Sequence, residues 1–469
     1  MSTLERGDLV ELEIEKFADK GKSLARVDGY VVFVEDAVPG DRVQAYVYKT
    51  KSNYAEAKLD TLLAPSDLRT PPRCRYADAC GGCTWQHVEY DAQLDMKQQS
   101  VAEAFEQHTD FDDVDVRPTL GSPKRFFYRN KMDFDFSADR WLTRAEIDTG
   151  KAFDTDFALG LHVPDNFYKV LDLQECYLHS QLSVRLVNGI RDFVKEQDWA
   201  PWDIRNHEGF LRHLVLRTGE QTGDCMVNLV TYGAPEERIS AVADFLRDEF
   251  PAVTTFVHTN HTGKSQNPEG EERVVFGPGV IYDEIGDYRF EISPSSFFQT
   301  NTLQAEQLYE VARNFAAFRP SDRLYDLYCG AGTISLFMSE HVDEVVGAEL
   351  VEDAVDNART NATMNDVDNC TFVSGDLKEL LTPSFVGEHG APDVLIVDPP
   401  RAGMHKTVVA QIAEIAPERF VYVSCNPQTQ VRDLARLRDT YRVDAVQPVD
   451  MFPHTPHVEN VVRLSRHED

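Results

Sequence analysis

No stretch of this chain approaches the roughly 18 to 20 uninterrupted apolar residues that a membrane-spanning helix needs. Its first residues, Met1-Ser-Thr-Leu-Glu-Arg-Gly-Asp8, lack the charged-then-apolar pattern of a secretory signal. A cytoplasmic protein with no membrane contact is expected. Internal repeats and low-complexity tracts are also missing, so the chain is not a repeat array. Positive charge is scarce: 47 Lys and Arg stand against 79 Asp and Glu, a formal net charge of -32. The acid is spread along the whole chain rather than gathered into a tail, which excludes a disordered acidic extension. With 42% hydrophobic residues, the balance resembles that of proteins from salt-accumulating organisms. Taken alone, such charge argues against a nucleic-acid partner, because polyanions repel. In molar salt the Debye length shrinks to about 3 Å, and both that objection and the usual counterion-release gain weaken. An RNA partner would be held by stacking, hydrogen bonds and shape, so charge does not decide the partner.

Cysteine is sparse too, at eight residues. Cys225, Cys329, Cys370 and Cys425 are scattered, whereas Cys74, Cys80, Cys83 and Cys176 look organised. A cytosolic chain is not expected to use the clustered set as disulfides, which turns it toward metal.

At 469 residues the chain should hold two to four domains. Residues 1–64 alternate short strand patterns with turns. Leu9–Phe17 has period two, Asp28-Gly29 signals a hairpin before Tyr30–Val34, and Val38-Pro-Gly-Asp41 turns into Arg42–Lys49. Strands this short and evenly spaced suggest a small barrel of the oligonucleotide-binding kind. Residues 65–120 hold a Pro-rich linker, Pro65–Pro72, then the cysteine segment and a helix-like stretch from Tyr90 to Val101. Residues 121–290 read as mostly β, with His213–Arg217 and Cys225–Thr231 as strands and a helical interruption near Ile239–Phe250. Residues 291–469 alternate strands and helices and close on two strands, Tyr441–Val449 and Val458–Leu464, expected to pair antiparallel. The fold class is α/β, a doubly wound sheet behind smaller β domains.

Four places carry chemistry. Cys74-x5-Cys80-Gly-Gly-Cys83 with the distant Cys176 combines close sulfur spacing with glycines that let the backbone wrap. It suits an iron–sulfur cluster or a structural zinc, and spacing leaves both open. Asp326-Leu-Tyr-Cys-Gly-Ala-Gly332 follows a strand and opens a helix, where a cofactor can approach the backbone. Glu349, at the end of the next strand, can take both hydroxyls of a ribose, although a helix-capping acid near Val351 is the plain alternative. The lack of a third glycine favours S-adenosylmethionine over a dinucleotide. Cys425, in Phe420-Val-Tyr-Val-Ser-Cys-Asn-Pro427, sits at the carboxyl end of a strand, where open α/β sheets present their ligands. A thiolate there suits attack on an electron-poor double bond, and Glu459 could remove a proton afterwards; an inert core cysteine is the bland alternative. Finally, Gly121-Ser-Pro-Lys-Arg-Phe-Phe-Tyr-Arg-Asn-Lys131 carries four basic residues, three adjacent aromatics and no acid. It suits a single-stranded nucleic acid or an amphipathic strand. His213, His454 and His457 read as structural, since no second metal pattern surrounds them.

These residues, taken together, resemble the RNA uracil-C5 methyltransferases over nearly the whole chain. Asp28-Gly-Tyr-Val-Val-Phe-Val34 and Val38-Pro-Gly-Asp41 resemble the TRAM domain. Cys80-Gly-Gly-Cys83-x2-Gln86-His87 and Cys176 resemble that family's 4Fe-4S ligands. Ser293-Pro-Ser-Ser-Phe-Phe-Gln299, Asp326-Leu-Tyr-Cys-Gly330, Asp398-Pro-Pro-Arg401, Ser424-Cys-Asn-Pro427 and Phe452-Pro-x-Thr-x-His-Val-Glu459 resemble the catalytic-domain motifs, in order. The resemblance implies a class I methyltransferase domain at 291–469, a TRAM domain at 1–64 and an iron–sulfur site held by Cys74, Cys80, Cys83 and Cys176. It implies S-adenosylmethionine contacts at Gln299, Tyr328, Glu349 and Asp398, with Thr333 and Asp376 at positions where residue type varies. Cys425 falls at the nucleophile's position and Glu459 at the general base's. The implied partner is RNA, with 23S ribosomal RNA favoured and the T-loop uridine of transfer RNA as the alternative, and the implied state is a monomer. An adenine amino-methyltransferase would place an aromatic after Asp398-Pro-Pro, where Arg401 stands. A non-catalytic RNA-binding iron–sulfur protein would not need Cys425 and Glu459 intact.

Overall fold

A computed structural model of the chain describes residues 4–18, 21–107, 111, 114–164 and 166–467. The amino-terminal part is a six-stranded sheet in the spatial order Leu9–Glu13, Arg42–Thr50, Tyr54–Ala64, Tyr30–Glu35, Ser23–Val27, Lys16–Phe17. The Asp28-Gly29 hairpin forms as expected: both residues take left-handed backbone, φ 50° and 84°, which matches the twist of the strands they join. The expected single strand Leu9–Phe17 is instead broken in two. Its first half pairs with Arg42–Thr50 and its second half with Ser23–Val27, so the break at Ile14 lets the sheet curl around its own core. The Pro65–Pro72 segment is not slack, because the Arg69 guanidinium binds the buried Asp41 carboxylate at 2.8–3.0 Å.

The central part is an eight-stranded sheet running from Glu271–Phe276 to Arg140–Trp141. The mostly β expectation needs a correction. Besides Glu236–Glu249, a 16-residue helix, Gln181–Glu196, covers this sheet. Ser180 caps it by accepting from the Ser183 amide, and Leu186, Val187, Ile190 and Val194 are buried against the strands. Burying each such side chain is worth about 1.5–3 kcal/mol, which overrides the indifferent helix propensity of its valines and Gly189.

The carboxyl-terminal sheet has seven strands in the order Cys370–Ser374, Glu344–Glu349, Arg323–Leu327, Val394–Val397, Arg419–Ser424, Glu459–Arg466, Tyr441–Val449. All run parallel except Glu459–Arg466, which is antiparallel to both neighbours. Val394–Val397 and Arg419–Ser424 are buried at every position, as strands covered on both faces must be. The order reverses between Arg323–Leu327 and Val394–Val397, and at such a switch point a crevice opens beyond the carboxyl ends of the strands. Helix Tyr90–Glu106 bridges this body and the amino-terminal sheet, with Val101, Ala104 and Phe105 in the core of the one and Ala92 and Met96 packed with Val38 and Phe17 of the other. Among the described residues no helix is long and apolar enough to cross a membrane.

Candidate active site

The switch point gathers the carboxylates and the thiol. Asp398 follows the Val394–Val397 strand and Cys425 follows Arg419–Ser424, so both stand at the carboxyl edge. Glu459 opens an antiparallel strand, and such a strand begins at the edge where its parallel neighbours end. Ser424 pairs with Asn460 in that register, which sets Cys425 and Glu459 opposite each other one step further out.

Their electrostatics are coupled. The Cys425 thiol is pushed up to about 11, chiefly by burial, then by the charges of Glu459 and Asp398, while Arg401 opposes them. Glu459 is buried and held well above the usual carboxylate range by that burial, with Asp398 adding to the effect and Arg401 resisting it. Burial raises Asp398 to about 7. Arg401 is thus the cation of the group, a role not visible in the motif Asp398-Pro-Pro-Arg401. Its backbone carbonyl accepts from Asn426 Nδ2 and Thr429 Oγ1, each at 3.2 Å, and this ties the turn to the residue after the thiol.

A second group of side chains lies around the glycine turn. Gly330 and Gly332 have φ 53° and 79°, and an added Cβ at Gly332 would come within 3.1 Å of Ala358 and Phe372. Glu349 accepts from the amides of Gly330 at 3.2 Å, Leu350 at 2.8 Å and Val351 at 3.0 Å. It therefore fastens the glycine turn to the entry of the following helix, with Oε1 taking the Leu350 and Val351 amides and Oε2 keeping a further lone pair. Asp326 is wholly buried, with Oδ2 bound to Ser335 at 2.6 Å and Oδ1 unpartnered. Burial first, then the charges of Asp398 and Glu349, raise it to about 7. Tyr328 has left-handed backbone, φ 65°, and its phenol is raised to about 12 by burial and by Asp433, Asp376 and Glu349. The Thr333 hydroxyl shares a 2.8 Å hydrogen bond with Tyr309. Asp376 caps a short turn and pairs with Lys378 Nζ at 2.8 Å, which holds its carboxyl below the usual range. Gln299 is buried, and its carbonyl accepts from Asn130 Nδ2 at 2.8 Å. Three buried or half-buried carboxylates with one orphan oxygen call for a positive group, and the sulfonium of S-adenosylmethionine fits that donor set.

Cys74, Cys80, Cys83 and Cys176 line one cavity together with Gly82, Gln86 and Leu161. Amides of Gly82 and Leu178 donate to the sulfurs of Cys80 and Cys176 at 3.4 and 3.5 Å. Burial pushes Cys74 up to about 11 and Cys80 and Cys83 up to about 12, and it raises Cys176 as well. Among the described residues no group of three or more His, Cys, Asp or Glu is arranged to hold a metal ion. The arrangement therefore shows neither an iron–sulfur cluster nor a zinc. In a four-iron cluster each thiolate binds a different corner of a cube, so its ligands need not converge on one point.

In the basic–aromatic segment several side chains are engaged within the fold. Tyr128 is buried and donates to Pro453 O at 3.1 Å. Phe126 stacks on His454 at 4.4 Å between ring centres, Phe127 leans on Tyr177, and Lys124 pairs with Glu220. Its aromatics hold the fold together, and Arg125 lies over Tyr90 at 4.1 Å. Each of the three histidines has a protein partner: His213 Nδ1 meets Asp135 at 2.6 Å, His454 Nδ1 meets Gln93 at 3.2 Å and His457 Nδ1 meets Arg401 at 3.5 Å.

Residues 281–467 match the tRNA (uracil-5-)-methyltransferase family, and residues 4–59 match the TRAM domain. An RNA methyltransferase of Bacteroides thetaiotaomicron is 42% identical over 95% of this chain and 99% of its own. One from Chlorobaculum tepidum is 41% identical over 99% and 97%. Among solved structures, the Pyrococcus abyssi tRNA (uracil-54, C5)-methyltransferase in complex with S-adenosyl-L-homocysteine aligns with a TM-score of 0.76. It is 30% identical and covers 97% of this chain and 99% of its own.

Proposed function

The chain belongs to the RNA uracil-5-methyltransferase family, and from that premise we propose that it methylates C5 of one uridine in 23S ribosomal RNA through a covalent adduct on Cys425. The observation that carries this reading is the pairing of a thiol and a buried carboxyl, Cys425 and Glu459, on adjacent strands at the carboxyl edge of the sheet. Gln299, Tyr328, Glu349 and Asp398, with Thr333 and Asp376, hold S-adenosylmethionine. When bound, that cofactor supplies an electrophilic methyl carbon on a sulfonium.

C5 of uracil is a poor nucleophile, and Cys425 changes that. Its thiolate adds to C6, the C5–C6 double bond opens, and C4–C5 becomes an enolate. C5 would then bond to the methyl carbon as that carbon's bond to sulfur breaks, the electron pair staying on sulfur, which leaves as the neutral thioether of S-adenosylhomocysteine. Glu459 takes the proton from C5, and the returning electron pair expels the Cys425 thiolate and restores the double bond. Arg401 steadies the thiolate, and Asp398 orients the uracil. The base must leave its stack to reach this edge, so the target lies in a loop or a locally opened segment.

Cys74, Cys80, Cys83 and Cys176 would hold a 4Fe-4S cluster, a reading supported by the four thiols lining one cavity and the amides aimed at two of them. Anaerobic purification should give about four iron and four sulfide per chain with a broad visible absorption; a single zinc would overturn this part. A second substrate reading, the T-loop uridine of transfer RNA, is favoured by the likeness to the Pyrococcus abyssi enzyme along nearly the whole chain. A map of 5-methyluridine in cells with and without the gene decides. Loss of the mark from 23S RNA alone supports the first reading, and loss from transfer RNA alone supports the second. Cys425→Ala should abolish methylation with the fold intact, and Glu459→Gln should let the RNA–protein adduct accumulate on denaturing gels.

A further inference from the structure

The loop that delivers Glu459, residues 450–458, is gripped from one side by groups that the chemistry above does not use. Lys97, in the middle of helix Tyr90–Glu106, is wholly buried. Its ammonium binds the equally buried Asp450 carboxylate and donates to Phe452 O at 3.1 Å. Tyr90, seven residues earlier on the same face of the helix, donates to the other Asp450 oxygen at 2.8 Å. Between them Gln93 spends its whole amide on the loop and its surroundings: Oε1 accepts from the His454 amide at 2.9 Å, and Nε2 donates to Val88 O at 2.8 Å and Trp85 O at 3.1 Å. The Trp85 amide in turn donates to His454 O at 2.9 Å. A lysine stripped of water is costly unless paired, and here the pairing is spent on a loop rather than on the core of either sheet.

The grip continues into the cysteine segment. Trp85 lies two residues after Cys83. Arg73, just before Cys74, lies over Phe126 at 5.2 Å and over Tyr177, just after Cys176, at 4.5 Å. Phe126 is the ring stacked on His454. Both the helix and the residues flanking three of the four cysteines therefore end on one residue of the loop, five positions before Glu459.

We propose that helix Tyr90–Glu106 and the cysteine segment form a clamp that sets the position of Glu459 for proton removal, with Gln93, Lys97 and Phe126 as positioning residues. The inference rests on the role of Glu459 given above. A clamp of this kind acts on one step only. Thiolate addition and methyl transfer use groups on other strands, whereas removal of the C5 proton needs the carboxyl within hydrogen-bond reach, and a displacement near 1 Å can cost about a hundredfold.

The experiment uses the full-length enzyme with its RNA substrate carrying deuterium or hydrogen at C5 of the target uridine. Gln93→Leu and Phe126→Leu are compared with the parent and with Glu459→Gln, each checked for an unchanged circular dichroism spectrum. The expected result is up to about a hundredfold slower turnover, accumulation of the covalent adduct, S-adenosylhomocysteine formed at the parental rate in the first turnover, and a primary isotope effect that the parent lacks. Should Gln93→Leu fail to fold, Phe126→Leu decides alone. Normal turnover in a folded variant, or slow turnover with neither adduct nor isotope effect, overturns the clamp. If Glu459→Gln itself gives no adduct and no isotope effect, the assignment of the base fails instead, and the two failures are told apart.

Discussion

The Cys425 thiol should be almost wholly protonated in the resting enzyme, and its ionisation should set the pace of any reaction at sulfur. Its environment moves it from 9.0 to about 11. At pH 8 that lowers the thiolate fraction from about one in ten to about one in a thousand, a factor of about one hundred. Burial disfavours the charged form, Glu459 and Asp398 repel it, and Arg401 alone among the neighbouring side chains draws it out. The direct assay is alkylation by iodoacetamide in the absence of RNA, followed by mass spectrometry of the peptide that contains Cys425, which separates this thiol from the other seven. The rate should climb about tenfold for each pH unit from neutrality and level off only near pH 11. Arg401→Gln removes the single favourable charge and should slow alkylation at every pH below the plateau. Asp398→Asn and Glu459→Gln remove repulsion and should speed it. A plateau at or below pH 8.5, the value of an unperturbed thiol, would refute the reasoning, as would an Arg401→Gln variant that reacts faster than the parent.

Asp326 and Asp398, both raised to about 7, should be partly protonated near neutrality, and a bound sulfonium should drive protons off them. Titration calorimetry of S-adenosylmethionine at pH 7 in two buffers of different ionisation enthalpy should therefore give different heats, converging by pH 9; equal heats at pH 7 would count against it. The same raised carboxyls should make the cofactor-free protein lose stability as pH rises from about 4 to about 7, because the unfolded state gives up these protons first. This is read as a falling melting temperature for the parent relative to an Asp326→Asn variant. Lys97→Met leaves Asp450 buried without its cation and should cost about 3–5 kcal/mol in denaturant unfolding. Adding Asp450→Leu to it should recover part of that loss, and a single variant as stable as the parent would rule out the buried pair as described.

Much of this architecture could be read from residue order. The strands Val394–Val397 and Arg419–Ser424 announce themselves as unbroken apolar runs, and helices Thr333–Ser339 and Lys406–Ile415 fall where their spacing puts them. Helix Gln181–Glu196 did not stand out, because valines and Gly189 blur a pattern that Ser180 and the spacing Leu186, Ile190, Val194 do contain. Thr302–Ala316 was hidden likewise, behind the Ser293–Gln299 motif, although Asn301 caps it. At the site, residue type pointed to the thiol and the carboxylates. It could not point to Arg401 as their counter-charge, nor to Lys97 and Asp450, since an isolated lysine in a helix is nearly always solvated. For the aromatics of 126–128 the sequence left two readings open, because it shows that rings are adjacent but not that one of them stacks on His454.

The insertion of Glu459–Arg466 between Arg419–Ser424 and Tyr441–Val449 has a bearing on when the molecule becomes active during its synthesis. A ribosome that has released residues up to 440 has already delivered Asp326, Glu349, Asp398 and Cys425, but the strand bearing the thiol is still a bare edge, one hydrogen-bonded row short. The later strand Tyr441–Val449 cannot dock there first, because its place is on the far side of Glu459–Arg466. Sheet closure and arrival of the carboxyl are therefore one event, late in translation. A chain that stops short of this strand therefore lacks two things at once, the carboxyl of Glu459 and the row of hydrogen bonds that closes the sheet beside Cys425.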